Sequence, residues 1–148
     1  MAYQRILVFG AHPDDEITMA GTIAKLSQQG TEVYVVTMTN GCEGYPRAEM
    51  RDEIVAMRRQ EAAECDKVLG IKQRIMLNRP DMGLNYDKET LQECIRIIRQ
   101  ICPNAIFTHG PFDKHIDHRM THIISVDARW HAGEPVATAL GEPWSPIW

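Results

Sequence analysis

Apolar and polar positions follow two rhythms along this chain. Short unbroken apolar runs predict strands buried on both faces, and apolar stripes at steps of three and four predict helices. Arg5-Ile6-Leu7-Val8-Phe9-Gly10 is the first such run. Glu16 to Gln29 comes next as a helix with Met19, Ala20, Ile23 and Leu26 on its apolar side, closed by Gly30. Glu32 to Met38 is a β-branched strand, and residues 39–47, with Gly41, Gly44 and Pro46, form a long loop. Glu49 to Leu69 reads as the second helix and Arg74 to Leu77 as the third strand. Asp87 caps a third helix whose stripe of Leu91, Cys94, Ile95, Ile98 and Ile101 is regular, and Pro103 stops it. Ala105 to Thr108 is the fourth strand and Asp117 to Trp130 the last helix. Alternating strands and helices predict an α/β fold with a mostly parallel sheet, helices on both faces and right-handed crossovers. No repeat or linker interrupts the pattern, so residues 1–148 read as a single domain.

The second helix breaks its own pattern. Ile54, Arg58, Glu61, Cys65 and Val68 recur at steps of four and three, which puts them on one face. Charges in an apolar stripe need partners. Arg58 and Glu61 therefore pair with each other or point into a site, unless that edge of the stripe is solvated.

With 44% hydrophobic and 24% charged residues among 148, the chain suits one soluble globular domain with a real core. A net charge of -4 argues against a polyanion-binding surface, so nucleic acid is not an expected partner. No apolar run approaches the roughly 18 residues that span a membrane. The first strand begins almost at Met1, which leaves no signal peptide to cleave. Cys42, Cys65, Cys94 and Cys102 show no metal or disulfide spacing. Free thiols in a reducing cytoplasm are the expectation, with Cys94 and Cys102 buried on a helical face.

Chemistry concentrates at two strand ends. Ala11-His12-Pro13-Asp14-Asp15-Glu16 stands directly behind the first strand. Crowded carboxylates resist joint ionisation, and a bound cation removes that cost. Imidazole with carboxylate oxygen suits zinc or a similar divalent metal, and a spare carboxylate beside it suits a general base. An acidic helix start alone would explain Asp14 to Glu16 but not His12 and Pro13. A second group, Asp113-Lys114-His115-Ile116-Asp117-His118, stands behind the fourth strand. In a Rossmann-like sheet two such loops meet over the carboxyl edge. A nucleotide-binding module of the same class would need a glycine-rich turn, and here Gly10 leads into acidic residues that repel phosphate.

These two motifs together resemble the LmbE-like (PIG-L) zinc-dependent N-acetylglucosamine deacetylases. The first matches at every position; the second matches at both histidines and the aspartate, with Ile116 where proline is usual. Similarity continues through Met57-Arg58-Arg59-Gln60-Glu61-Ala62, Pro80-Asp81-Met82-Gly83-Leu84 and Gly133-Glu134-Pro135, nearly the whole chain. The resemblance implies His12, Asp15 and His118 as ligands of Zn2+, with another divalent ion such as Fe2+ as the alternative. It implies Asp14 as general base and a protonated His115 at the oxyanion, oriented and kept cationic by Asp117. Arg58 would contact substrate and Asp81 would accept a sugar hydroxyl. The implied reaction is hydrolytic removal of an acyl group, acetyl above all, from the amino nitrogen of a small amino sugar or glycoconjugate. Two imidazoles and one carboxylate leave zinc an open position, the pattern of catalytic sites. The proton for the leaving amine falls to Asp14 or His115. Glu16 is expected behind the ligands rather than among them, His122 as a non-ligand, and His109 at the strand end near the site. A metal-binding protein without turnover is the alternative, against which intact Asp14 and His115 speak.

Family members usually continue past the Gly-Glu-Pro region, so this chain reads as C-terminally short. Its last residues, Trp144-Ser145-Pro146-Ile147-Trp148, are apolar. They imply a truncated chain or a surface covered by a second copy, hence a homo-oligomer or an aggregation-prone monomer. Trp130, Trp144 and Trp148 are expected to pack apolar surface rather than stack on sugar.

Overall fold

The computed structural model describes residues 3–146. Its centre is β1 (Arg5–Gly10), which pairs in parallel with β2 (Glu32–Thr39) on one side and with β4 (Ala105–Phe107) on the other. The third strand, β3 (Gln73–Arg79), pairs in parallel with β2, giving the order β3-β2-β1-β4. All pairings found are parallel, as the unbroken apolar runs predict.

Alternate side chains of β1 and β2 feed two cores. Leu7, Phe9, Tyr34 and Val36 pack against α3 (Lys88–Ile101) and α4 (Ile116–Gly133) through Cys94, Ile98, Ile124 and Ala128. Ile6, Val8, Val33 and Val35 face the other way, onto Ile23 and Leu26 of α1 (Ala20–Gln28) and Leu69 of α2 (Ile54–Leu69). This two-sided burial is the expected Rossmann-like layering. Among the described residues no helix is long and apolar enough to cross a membrane.

Several boundaries differ from the pattern-based expectation. The helix expected from Glu16 opens as a 3-10 turn, Asp15–Met19, and becomes α-helical only at Ala20. Glu16 is turned inward and buried against Arg74, at 2.6 Å, so this stretch answers to the sheet before it answers to a helix. The helix expected from Glu49 begins at Ile54, the first buried position after the exposed residues 51–53. Its buried positions are Ile54 and Ala62; Glu61 is exposed and Val68 is 82% exposed, so the buried face is rotated by about one residue from the expected stripe. Asp87 does cap α3, accepting from the Thr90 amide at 2.8 Å.

All four cysteines are free, and burial pushes the Cys94 thiol up to about 12. Cys102 lies just beyond α3 in a left-handed conformation and is only part-buried, not on the helical face expected. The C-terminal segment is tied down as far as it is described. The Trp144 indole donates to the Pro103 carbonyl at 2.8 Å and its ring packs on the α3–α4 core. Buried Arg99 donates to the carbonyls of Ala132, His131, Glu134, Val136, Ala137 and Gly141, so one guanidinium closes α4 and holds the segment beyond it. Trp130, by contrast, is exposed. Ile147 and Trp148, on which the expectation of an uncovered apolar end partly rests, lie outside the described residues.

Candidate metal centre and active site

The strand order reverses at β1: the chain moves outward to β2 and β3 on one side, then returns to place β4 on the other. Loops leaving the carboxyl ends of β1 and β4 diverge there, and ligands of open α/β sheets bind in that crevice. The two motifs leave these two strands. His12 to Asp15 lie just past β1; His115 caps α4, and His118 sits in its first turn.

Donor atoms converge closely. His12 Nδ1 lies 3.2 Å from His118 Nε2, Asp15 Oδ1 lies 3.3 Å from His118 Nε2, and Asp15 Oδ2 lies 3.6 Å from His12 Nδ1. Zinc bond lengths of about 2.0–2.2 Å to nitrogen and oxygen place tetrahedral ligand atoms about 3.3–3.6 Å apart, close to these separations, with His118 meeting one Asp15 oxygen and His12 the other. The expected trio bridges two overlapping groups of donors that share His118: His12–His115–His118 and Asp15–His109–His118.

Each imidazole of the trio is backed by a carboxylate on its far side. His118 Nδ1 meets Asp113 Oδ2 at 3.1 Å, and His12 Nε2 meets Asp117 Oδ2 at 3.1 Å. Such carboxylate–histidine pairs fix the tautomer and orient the nitrogen that binds the metal. Burial opposes a charge on the His12 ring, but hydrogen bonding and charge from Asp15, then Asp117 and Asp81, hold its pKa up at about 9. Burial likewise opposes ionised Asp15, yet bonds from His109 and His12 hold its carboxyl well below the usual range. A proton on His12 and a divalent cation answer to the same surplus of negative charge.

Asp117 lies beside both His12 and His115, and closer to His12. The expectation has it orienting His115, but its Oδ2 lies 3.9 Å from His115 Nδ1 and 3.1 Å from His12, and also accepts the Met82 amide at 2.7 Å. His115 Nδ1 instead accepts the Asp117 backbone N–H at 3.2 Å as the cap of α4. Nδ1 accepts there, so the N–H this ring can offer towards the cleft is the one on Nε2.

Asp81 ties the loop after β2 to the cleft: its two oxygens accept the Gly41 and Glu43 amides, both at 2.9 Å, and it lines the same cleft as His12. Arg58 behaves as one of its expected alternatives: Nη1 donates to Glu61 at 2.6 Å while Nη2 reaches the Gly44 carbonyl at 3.0 Å. It also lines the cleft, a cavity of about 500 Å3 bounded by His12, Asp14, Gly41, Arg58, Met82 and His115 among others. Asp14 is exposed at the rim and makes no capping hydrogen bond.

Glu16 stays behind the ligands, in an ion pair with Arg74 that also takes in Asp66 at 2.7 Å. Burial opposes the Arg74 charge, but Asp66 and Glu16 hold the guanidinium firmly protonated. His122 donates from Nδ1 to the His109 carbonyl at 2.7 Å and is in neither of the two donor groups.

Two contributors do not stand out in the sequence. Asp113 is legible only as part of its motif. His109 is placed near the site without a role, yet its Nε2 lies 3.1 Å from Asp15 Oδ2 and 3.1 Å from the Ala11 amide. Those contacts ask for opposite tautomers. A hydrogen bond to a carboxylate is worth about 1.5–3 kcal/mol against about 1 for a neutral pair, so Nε2–H donating to Asp15 prevails.

Fold and site together define a Rossmann-like α/β protein with clustered His and Asp donors in the crevice at the switch point of its sheet. The chain matches the PIG-L family, described as GlcNAc-PI de-N-acetylase, over residues 7–129 and belongs to that family. It is 31% identical over 137 residues to a diacetylchitobiose deacetylase of Thermococcus kodakarensis, covering 89% of this chain and 51% of that protein. The solved N,N'-diacetylchitobiose deacetylase of Pyrococcus horikoshii superposes with a TM-score of 0.88 at 33% identity, covering 93% of this chain and 53% of that one. GalB, a 4-carboxy-2-hydroxymuconate hydratase of Pseudomonas putida, superposes with a TM-score of 0.83 at 26% identity, covering 95% and 63%. The chain thus spans about half the length of its deacetylase relatives.

Proposed function

We propose that this chain is a metal-dependent hydrolase that removes acetyl from the amino nitrogen of an N-acetylglucosamine-type sugar. The observation that carries the reading is the approach of His12, Asp15 and His118 to within 3.2–3.6 Å beside an untethered Asp14, at one end of a cleft large enough for a sugar. A divalent cation held by these three, Zn2+ by donor chemistry, would supply Lewis acidity and a lowered pKa for water.

The chain's own residues account for the rest. Asp14 takes the proton of the attacking water, whose oxygen adds to the acetamide carbon. His115, with Nδ1 engaged as a cap, has its Nε2–H available to the carbonyl oxygen as negative charge develops there. The C–N bond then breaks, and the amine nitrogen takes a proton from Asp14 or His115, leaving acetate and a free amine. Arg58 and the loop fastened by Asp81 form the wall against which the sugar is held. Four free thiols support a reducing compartment, the cytoplasm, as its place of work.

The kinship with a hydratase favours one second reading, addition of the activated water to a carbon–carbon double bond. Incubating the Zn2+-loaded chain with N,N'-diacetylchitobiose, N-acetylglucosamine and 4-carboxy-2-hydroxymuconate separates the two. Equimolar acetate and amine from the sugars is the expected result. Loss of the alkene absorbance with no acetate would replace deacetylation by hydration.

A further inference from the structure

We infer that His109 is a positioning residue of the metal centre, holding Asp15 so that a single carboxylate oxygen is turned towards the cation. The inference rests on the metal-site reading above and assigns a part to a histidine outside the expected ligand trio.

Asp15 Oδ2 is taken up from two directions, by the His12 amide at 2.7 Å and by His109 Nε2 at 3.1 Å. That leaves Oδ1, the oxygen 3.3 Å from His118 Nε2, to complete the ligand set. His109 also stacks on His118, with ring centroids 4.0 Å apart and planes 14° from parallel, so it bears on two ligands at once. Its backbone is fixed in turn, because His122 on α4, one turn beyond His118, donates to its carbonyl at 2.7 Å. Behind the pair lies a cavity of about 230 Å3 lined by Gly10, Asp15, Thr108 and His109 among others. With the donor gone, the Asp15 carboxylate has room to turn into that space and away from the cation. A hydrogen-bonding rather than a ligating part for His109 is what the chemistry favours, since a fourth protein ligand would close a tetrahedral site to water.

The test is Zn2+ affinity, measured on the metal-stripped full-length chain by competition with a chromophoric chelator. The variants are His109→Leu, which keeps bulk without a donor, and His109→Gln, whose amide nitrogen stands near the place of Nε2. His109→Leu should bind Zn2+ about 10–100-fold more weakly, the usual cost of losing such an outer partner. His109→Gln should regain most of that loss and, loaded with Co2+, show the visible absorption of the wild type, because no ligand has changed. Unaltered affinity in His109→Leu overturns the inference. So does a folded His109→Gln that binds as poorly as His109→Leu, or one whose Co2+ spectrum has moved, which would make His109 a ligand. Should His109→Leu not fold, His109→Gln decides alone by the same two readings. A wild-type chain that binds no Zn2+ at all would remove the underlying metal reading, an outcome distinct from the others.

Discussion

Asp14 and Asp15 are neighbours in sequence with opposite surroundings. Asp15 is tied by His12 and His109, whereas Asp14 is exposed and caps nothing. Asp14→Asn should therefore bind Zn2+ as the wild type does and lose about two to four orders of magnitude in kcat, the scale of a general base. Metal titration and steady-state acetate release on the same preparation check both halves. Asp117 gives the complementary case. Because it backs His12, Asp117→Ala should weaken Zn2+ binding about 10–100-fold. A fall in kcat with metal affinity untouched would return Asp117 to His115, as the sequence alone suggests. The difference from the expected pairing has a plain origin. Adjacent motif letters say which residues are near, but the first turn of α4 decides that the Asp117 side chain goes under His12 while its amide goes to His115.

Among the elements, β1 and β2 are legible almost to the residue, since they are buried on both faces and read as continuous apolar runs, whereas β3 runs past its expected Arg74 to Leu77 at both ends. The starts of α1 and α2 are not legible. Asp15–Met19 and Ala48–Met50 are 3-10 turns, and nothing in their composition separates them from the helices they precede. The Gly41 turn lines the cleft and is packed tightly there. Its φ is +76°, and a Cβ there would meet Arg58 Cγ at 3.0 Å and Pro13 Cγ at 3.2 Å. Gly41→Ala should push Arg58 and the loop outward, raising KM more than it lowers kcat, which initial rates across substrate concentration would show. Asp87 tests the fold apart from the site. Asp87→Ala should cost about 1 kcal/mol, the usual worth of such a cap, in denaturant unfolding. The Thr90 amide holds the Asp87 carboxyl below its ordinary 3.8. Its folded value is thus depressed, and the cap's contribution is whole above the ordinary value and lost as pH falls through the lowered one. Wild type and Asp87→Ala should therefore converge in stability in acid and differ near neutrality.

For the whole molecule, the sheet order brings residues 12–15 and 115–118, about a hundred positions apart in sequence, to a single crevice. Both motifs are visible in the sequence; their meeting requires only that β1 and β4 be neighbours. The support around them, from His109, from Asp113 and from the loop that Asp81 fastens, is not legible there, because each depends on a side chain's direction rather than its type. If His12, Asp15 and His118 together hold one divalent ion, elemental analysis of the purified wild-type chain should find about one ion per chain, and His12→Ala, Asp15→Ala and His118→Ala should each retain little. Full occupancy in all three variants, with the proteins folded, would contradict it.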